Sequence, residues 1–537
     1  MSDTTVFAGG TVWTGTGPSA TSSAIAVRDG RIVALGAAAD ALRDGTAGVV
    51  DLEGGFVMPS FGDGHAHPLF GGLEQHGPRI KEQGSVAEIV AEVGRWAREH
   101  PDVPWIVAGS YDPSFAPAGE FDARWLDEAV ADRPVVLRAF DYHTVWCNSE
   151  ALRRGGIDAT TPDPPLGTIV RRDDGAPLGT LREWHACDLV LQAAPDVTPD
   201  VYARALADAS RLYAASGVTW VQDAWVDDTV ARAYLDAAAA DLLTLRFNLG
   251  QRADPDHWRD QRPGFADVRR EVERLGHPHL TATTVKFFAD GVIEGGTAAL
   301  LAPYDDAPGS LGMPVWSTTA LAEAVTAFDA DGFQVHIHAI GDAGVRAALD
   351  AIEAAVRANP SWDRRPVVAH TQLVDPADLS RFAALGVIAN FEPLWAQLDA
   401  LMVALTAPRL GAERTALQYP MAHLLGSGAT VSFGSDWPVS SLHPLDGLQI
   451  ATTRRTFDGD PADGWTPHER LTLDDAMRAY TAGVARQAFA EDTWGTLAPG
   501  RSADLVWLAA DPFGVDPLAL RHIEVRGTWL RGTRIHG

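Results

Sequence analysis

The chain has 537 residues, 46% of them hydrophobic, and a net charge of −28 from 43 Lys and Arg against 71 Asp and Glu. That length suits a large domain plus a smaller one, and so acidic a surface argues against nucleic acid and anionic membranes as partners. The 2 cysteines, Cys147 and Cys187, are too few for a disulfide framework or a four-thiolate zinc site. The opening "MSDTTVFAGG" has no basic segment followed by an apolar one, and no 18-residue apolar run occurs, so the expected location is the cytoplasm.

Residues 1–55 read as short β-strands, in "TVFAGGTVWTG", "AIAVRDGRIVALG" and the run into "GVVDLEGG". Val, Ile and Thr cluster there between Gly and Asp turn signals. The stretch "GGFVMPSFGDGHAH" then starts a series of short apolar runs. Residues 68–216 form a long insertion, with a helical pattern in "SVAEIVAEVGRWAREH" and a Pro-rich loop in "TTPDPPLG". After it come "GVTWVQDA", "LTLRFNLG", "TATTVKFFADG", "GFQVHIHAIGD", "PVVAHTQ", "GVIANFEP" and "ATVSFGSDWP", several of them separated by amphipathic helices. Near-continuous apolar runs between helices are the mark of buried parallel strands. Eight such units over residues 56–484 predict an α/β fold, a (β/α)8 TIM barrel with a large insertion after its first strand. An insertion at that point lies over the barrel mouth as a lid or substrate domain. Residues 485–537 return to short strands, in "GTLAPGRSADLVWLAAD" and "IEVRGTWLRGTRI". Neither end has apolar surface enough to fold alone, so the two termini are expected to build one small β-sandwich domain.

Only two of the basic residues are lysines, Lys81 and Lys286. Lys81 lies in a polar helical stretch and reads as a surface residue. Lys286 lies in the apolar run "TVKFFADG", where a charge is costly. Residues two apart on a strand point the same way, so His65 and His67 can both face the barrel mouth with spacing that suits one metal ion. Later strands end in Lys286, His338, His370 and Asp436. All strand ends converge on one rim, where active sites are built. Singly, each has a bland reading: a hydrogen-bonded histidine, a turn-capping Asp436, a Lys286 paired with Asp290. Together they form a metal-ligand set. His336 is deeper and reads as a supporting core residue, and His277 and His279 precede a strand and belong to the opposite face.

These segments, with "FDYHTVWCNSEAL", "GTLREWHACDLV", "VKFFADGVIEGGTAALLAPY" and "FGSDWPVSSLHPLDGL", resemble the amidohydrolase superfamily. The match is to the YtcJ-like branch of amidohydrolase family 3, which includes N-substituted formamide deformylases. The resemblance implies two divalent metal ions, zinc first among them. His65, His67 and Asp436 would hold one and His338 and His370 the other. Lys286 would bridge them as a carbamate formed with CO2. The chemistry suits lysine: an ammonium has no lone pair to offer, whereas a neutral amine favoured by burial can add CO2. One departure from the pattern is Ala369, where Glu is common before the sixth-strand histidine.

The implied reaction is hydrolysis of a non-peptide C–N bond by metal-activated hydroxide, with Asp436 as general base and then acid. His143, from the insertion, is the candidate for contact with the substrate carbonyl or leaving group. Trp146, Trp184, Trp225, Trp395 and Trp437 are placed near the rim, which would favour a small-molecule amide with an apolar or aromatic N-substituent. A homodimer is left open. The alternatives are a deaminase or cyclic-amide hydrolase of the same superfamily, and a non-catalytic regulatory or binding protein on this scaffold.

Overall fold

The computed structural model describes residues 4–17, 21–43 and 47–537. Met1–Asp3, the start of the stretch read as leaderless, lie outside the described residues. Eight parallel strands form the central sheet: β1 (Phe61–Ala66), β2 (Val218–Val226), β3 (Arg246–Arg252), β4 (Leu280–Phe288), β5 (Gln334–Ala339), β6 (Val367–His370), β7 (Ile388–Phe391) and β8 (Thr430–Phe433). They pair in chain order from β1 to β8. The loop after β8 closes the ring: the backbone N–H of Asp436 donates to the carbonyl of His65 on β1 at 2.7 Å. The α/β barrel is therefore nearly closed, and its strands are the runs expected from the sequence.

Alternation along each strand sorts the side chains. On β4, Val285 and Phe287 join the main apolar cluster, and Val335 and Ile337 do the same on β5. The intervening Lys286, His336 and His338 take the other face. Register sets Lys286 beside His336 and Phe288 beside His338, with Ala339 beside His370 one strand further on. Outer helices cover the apolar face, several started by side-chain caps such as Asp227 to the Val230 N–H and Ser317 to the Ala320 N–H.

The stretch read as a single strand from Gly54 to His67 is two. Phe56–Pro59 pairs with Leu505–Leu508 of the C-terminal region, and the chain passes through Ser60 into β1. Phe56–Pro59 thus joins an eight-stranded sheet drawn from both ends of the chain, next to Thr5–Trp13, Thr21–Arg28 and Arg31–Leu35 on one side. Both faces of that sheet are covered: Phe7, Ile25 and Leu505 pack on one and Val6, Ala8 and Ala24 on the other. The insertion carries its own five-stranded sheet, from Ile106–Tyr111 to Pro177–Arg182 and Thr168–Arg171. Among the described residues no helix is long and apolar enough to cross a membrane.

Candidate metal centre

β1 ends in the mouth of the barrel with His65 and His67, and the loop after β8 brings Asp436 between them. The three side chains are buried, and one ligand atom from each lies within 4.8 Å of the others. Asp436 Oδ1 is 2.9 Å from His67 Nε2 and 3.6 Å from His65 Nε2. Despite that closeness, Asp436 Oδ1 has no aligned hydrogen-bond donor. Two imidazoles and a carboxylate thus crowd one buried space, a donor set that suits a cation.

The remaining residues of the set adjoin this trio. Lys286 Nζ lies 3.3 Å from His65 Nε2. The His370 ring is 4.6 Å from that of His65 and 4.5 Å from that of His338, centroid to centroid. His143 comes from the insertion, 5.3 Å from the His338 ring. The trio alone closes into a mutually near ligand group among the described residues; His338 and His370 stand beside it as a second pair.

Hydrogen bonds decide which nitrogens are bare. His338 Nε2 lies 3.1 Å from the Gly291 carbonyl; a carbonyl only accepts, so Nε2 carries the proton and Nδ1 is free. His370 Nδ1 lies 2.8 Å from Glu392 Oε2, which turns Nε2 toward the site in the usual carboxylate–histidine manner. His65 Nδ1 bonds His336 Nε2 at 2.8 Å, so with Nδ1 as donor the His65 Nε2 is bare. His336 thus supports His65 from below. His370 and Asp436 both hold left-handed backbone, at φ +69° and +52°, a strain characteristic of functional positions.

Burial governs the charges. Lys286 is 0% exposed, and burial lowers its pKa from 10.5 to about 7 against the opposing charges of Asp436 and Glu392. Its suggested partner Asp290 is engaged elsewhere: the carboxylate accepts the N–H groups of Ala299, Ile340 and Gly341. Burial also holds His65 and His338 well below their ordinary range, and His370 at about 3. Neutral imidazoles are the form that binds metal. Burial raises the Asp436 carboxyl, but the His67 contact and surrounding positive charge outweigh it and keep the group low. His143 goes the other way. Burial lowers it, while the charge and hydrogen bond of Glu183 at 2.9 Å raise it further than that.

A family model described as "Amidohydrolase family" matches residues 48–536. The chain belongs to the amidohydrolase family. It is 29% identical to YtcJ of Bacillus subtilis, over 91% of this chain and 90% of that one. It is 27% identical to an N-substituted formamide deformylase of Arthrobacter pascens, over 95% and 94% of the two chains. A solved metal-dependent hydrolase from Pyrococcus horikoshii superposes with a TM-score of 0.75 at 23% identity, covering 96% of this chain and 99% of that one.

In this amidohydrolase the site opens into a cavity of about 220 Å³. Trp225, Trp395, Phe70, Tyr142 and Phe288 line it, together with the five site histidines and Asp436. Trp184 packs edge-on against Phe288 behind this wall, ring centroids 4.4 Å apart. Two of the tryptophans placed near the rim are elsewhere. Trp146 lies in the core of the insertion with its Nε1–H bound to the Asp122 carbonyl, and Trp437 packs outward against Tyr213. Both sit close in sequence to site residues, yet Trp146 is claimed by the insertion's own core and Trp437, in the loop after β8, turns to Tyr213. His277 contacts Asp241 and His279 the Leu243 carbonyl, on loops that precede the barrel strands.

Sequence reasoning did not single out the supporting carboxylates. Glu392, in "NFEP" after β7, orients His370. Asp63, in "GDGHAH", accepts the Ser435 N–H and Oγ–H and so ties β1 to the Asp436 loop. Glu183 orients His143. An acidic residue within a few positions of each strand end was the available signal, too common to stand out alone.

Proposed function

We propose that the chain hydrolyses a C–N bond other than a peptide bond, an amide or N-substituted formamide, with two divalent cations, zinc foremost, bridged by a carbamate on Lys286. The deformylase relative supplies the substrate class. One observation carries the bridging role: Lys286 is a buried amine, brought to a pKa of about 7 by burial, 3.3 Å from His65, with no ion-pair partner among the described residues. Such an amine is partly neutral at physiological pH, and its nitrogen can bond the carbon of CO2 as one proton leaves. Lys286 then offers two anionic oxygens to the site, which a guanidinium cannot do.

His65, His67 and Asp436 would hold one cation, and His338 Nδ1 and His370 Nε2 the other. When bound, the cations supply Lewis acidity and an activated water. Asp436 takes a proton from the attacking water and returns it to the departing nitrogen, a role that suits a carboxylate kept ionised. His143, whose protonated form Glu183 favours, donates to the carbonyl oxygen as charge develops there. The aromatic lining of the cavity receives an apolar or aromatic N-substituent and excludes water from the site.

The test combines metal analysis, carbon-13 NMR of protein equilibrated with labelled CO2, and a turnover screen of N-formyl and N-acyl amines. Two metals per chain, a carbamate resonance absent from Lys286→Ala, and a formamide or amide turned over are expected. A fully metallated, active Lys286→Arg enzyme would refute the bridge. A one-metal reading, as for a deaminase or cyclic-amide hydrolase, has one observation in its favour: only His65, His67 and Asp436 close into a mutual trio among the described residues. One metal per chain with no carbamate would favour it.

A further inference from the structure

Lys81 was read as a surface residue, and the residue as a whole is exposed. Its amine, however, turns back under the insertion. Nζ donates to the backbone carbonyl of Pro438, and to that of Ser440 at 3.3 Å. Both carbonyls belong to the loop that carries Asp436. Pro438 O accepts a second bond, from Ser110 Oγ at 3.1 Å, and Ser110 also bonds Glu74 at 2.9 Å. Glu74 takes the Tyr142 hydroxyl as well, and Tyr142 lines the catalytic cavity. Burial lowers the Lys81 amine from its ordinary range, and the charges of Glu74 and Asp436 act against that shift.

The loop needs such ties. Asp436 sits at φ +52°, a conformation that persists only where surrounding contacts over-determine it. The barrel fixes it as far as Trp437, through the Asp436 N–H to the His65 carbonyl at 2.7 Å and the His67 N–H to the Trp437 carbonyl at 2.8 Å, with the Ser435 N–H donating to Asp63 at 2.9 Å. Among the described residues, no barrel group hydrogen-bonds Pro438 O or Ser440 O. Those two acceptors are met from the insertion, and Lys81 is the one side chain that reaches both.

We infer that Lys81 is a positioning residue: its ammonium clamps the Pro438–Ser440 backbone and so holds the Asp436 carboxylate in place while locking the insertion, with Tyr142 and His143, over the site. The second lysine of this arginine-rich chain thus serves the same centre as the first, from outside. The clamp needs a flexible stem ending in several donors, and an arginine fork can reproduce two of them.

The inference rests on the metal-hydrolase reading, and the experiment separates the two. Lys81→Met keeps the stem and removes the donors; Lys81→Arg restores them. In the metal-free full chain, amide hydrogen exchange of residues 436–441 is expected to be at least about tenfold faster in Lys81→Met and near wild type in Lys81→Arg. In cobalt-loaded protein, Lys81→Met alters the visible spectrum and Lys81→Arg does not. On an N-formyl amine that the wild type turns over, Lys81→Met lowers kcat about 10–100-fold, as lost outer support of a ligand does, with KM within about threefold. Unchanged exchange and an unchanged cobalt spectrum in Lys81→Met would overturn the clamp. So would a melting-point loss with neither readout moved, or a Lys81→Arg variant as impaired as Lys81→Met. Failure of the wild type to bind cobalt or hydrolyse any amide would instead count against the metal-hydrolase reading, and the exchange data would still decide the clamp.

Discussion

Replacing Lys286 by Met should make the metal-free protein more stable while abolishing its chemistry. The lysine is buried at the end of β4, its pKa moved from 10.5 to about 7, chiefly by burial. A displacement of that size corresponds to about 5 kcal/mol of unfavourable free energy at neutral pH. Losing the 3.3 Å contact to His65 offsets about 1 kcal/mol, which leaves a gain of about 4 kcal/mol. With an unfolding entropy of about 2 cal/mol/K per residue over 537 residues, that gain raises Tm by about 3–4 °C. The pH dependence fixes the sign. Between about pH 7 and 10.5 the unfolded chain binds the proton that the folded chain releases, so wild-type stability rises with pH across this window. The advantage of Lys286→Met is therefore full at and below about pH 7 and fades toward pH 10.5. Thermal melts of chelated wild type and variant at pH 7 and pH 10 measure it. With metal restored the proposed bridge reverses the order, because a bridging lysine stabilises only the loaded native state. A metal-free Lys286→Met that melts at or below wild type at pH 7, or a gain undiminished at pH 10, would refute the buried neutral amine.

Asp436→Asn is expected to keep the fold by circular dichroism and to lose at least about 100-fold in kcat, since an amide cannot relay the proton. Glu392→Gln should weaken metal binding about 10–100-fold in a chelator competition, because an amide replaces the carboxyl that orients His370 at 2.8 Å. His277→Ala should leave metal content unchanged and shift stability by no more than about 0.5 kcal/mol, as its partner Asp241 is almost fully exposed.

The barrel was legible because each strand is a short apolar run with its polar exceptions on one face. Lys286 within "TVKFFADG" and His338 within "VHIHAIGD" broke the apolar pattern where side chains turn inward. Their convergence followed from topology, since parallel strands put all their C-terminal ends on one rim. What pairs across the sequence was not legible. Glu392 and His370 are neighbours only because β6 and β7 are adjacent, and Lys81 meets Pro438 across the whole length of the barrel. Trp146 and Trp437 show the converse error: closeness in sequence to a site residue does not bring a side chain to the site, since Trp146 belongs to the core of the insertion and Trp437 packs against Tyr213.

The stresses in this centre share one remedy. Left-handed backbone at His370 and Asp436, an undonated Asp436 oxygen between two imidazoles and an amine without a counter-ion each disfavour the folded state. None is relieved by repacking, because the outward faces of the same strands are committed to the apolar cluster around the barrel. A cation answers the two electrostatic ones at once and offsets the third. It accepts the crowded lone pairs, favours the ionised Asp436, and makes the anionic form of Lys286 the favoured one. Metal binding and folding are thus linked at this rim, and Lys286 changes sign between the two states. Without metal it is a charge the barrel must suppress; with metal, in the proposed bridge, it would be the ligand that joins both halves of the site.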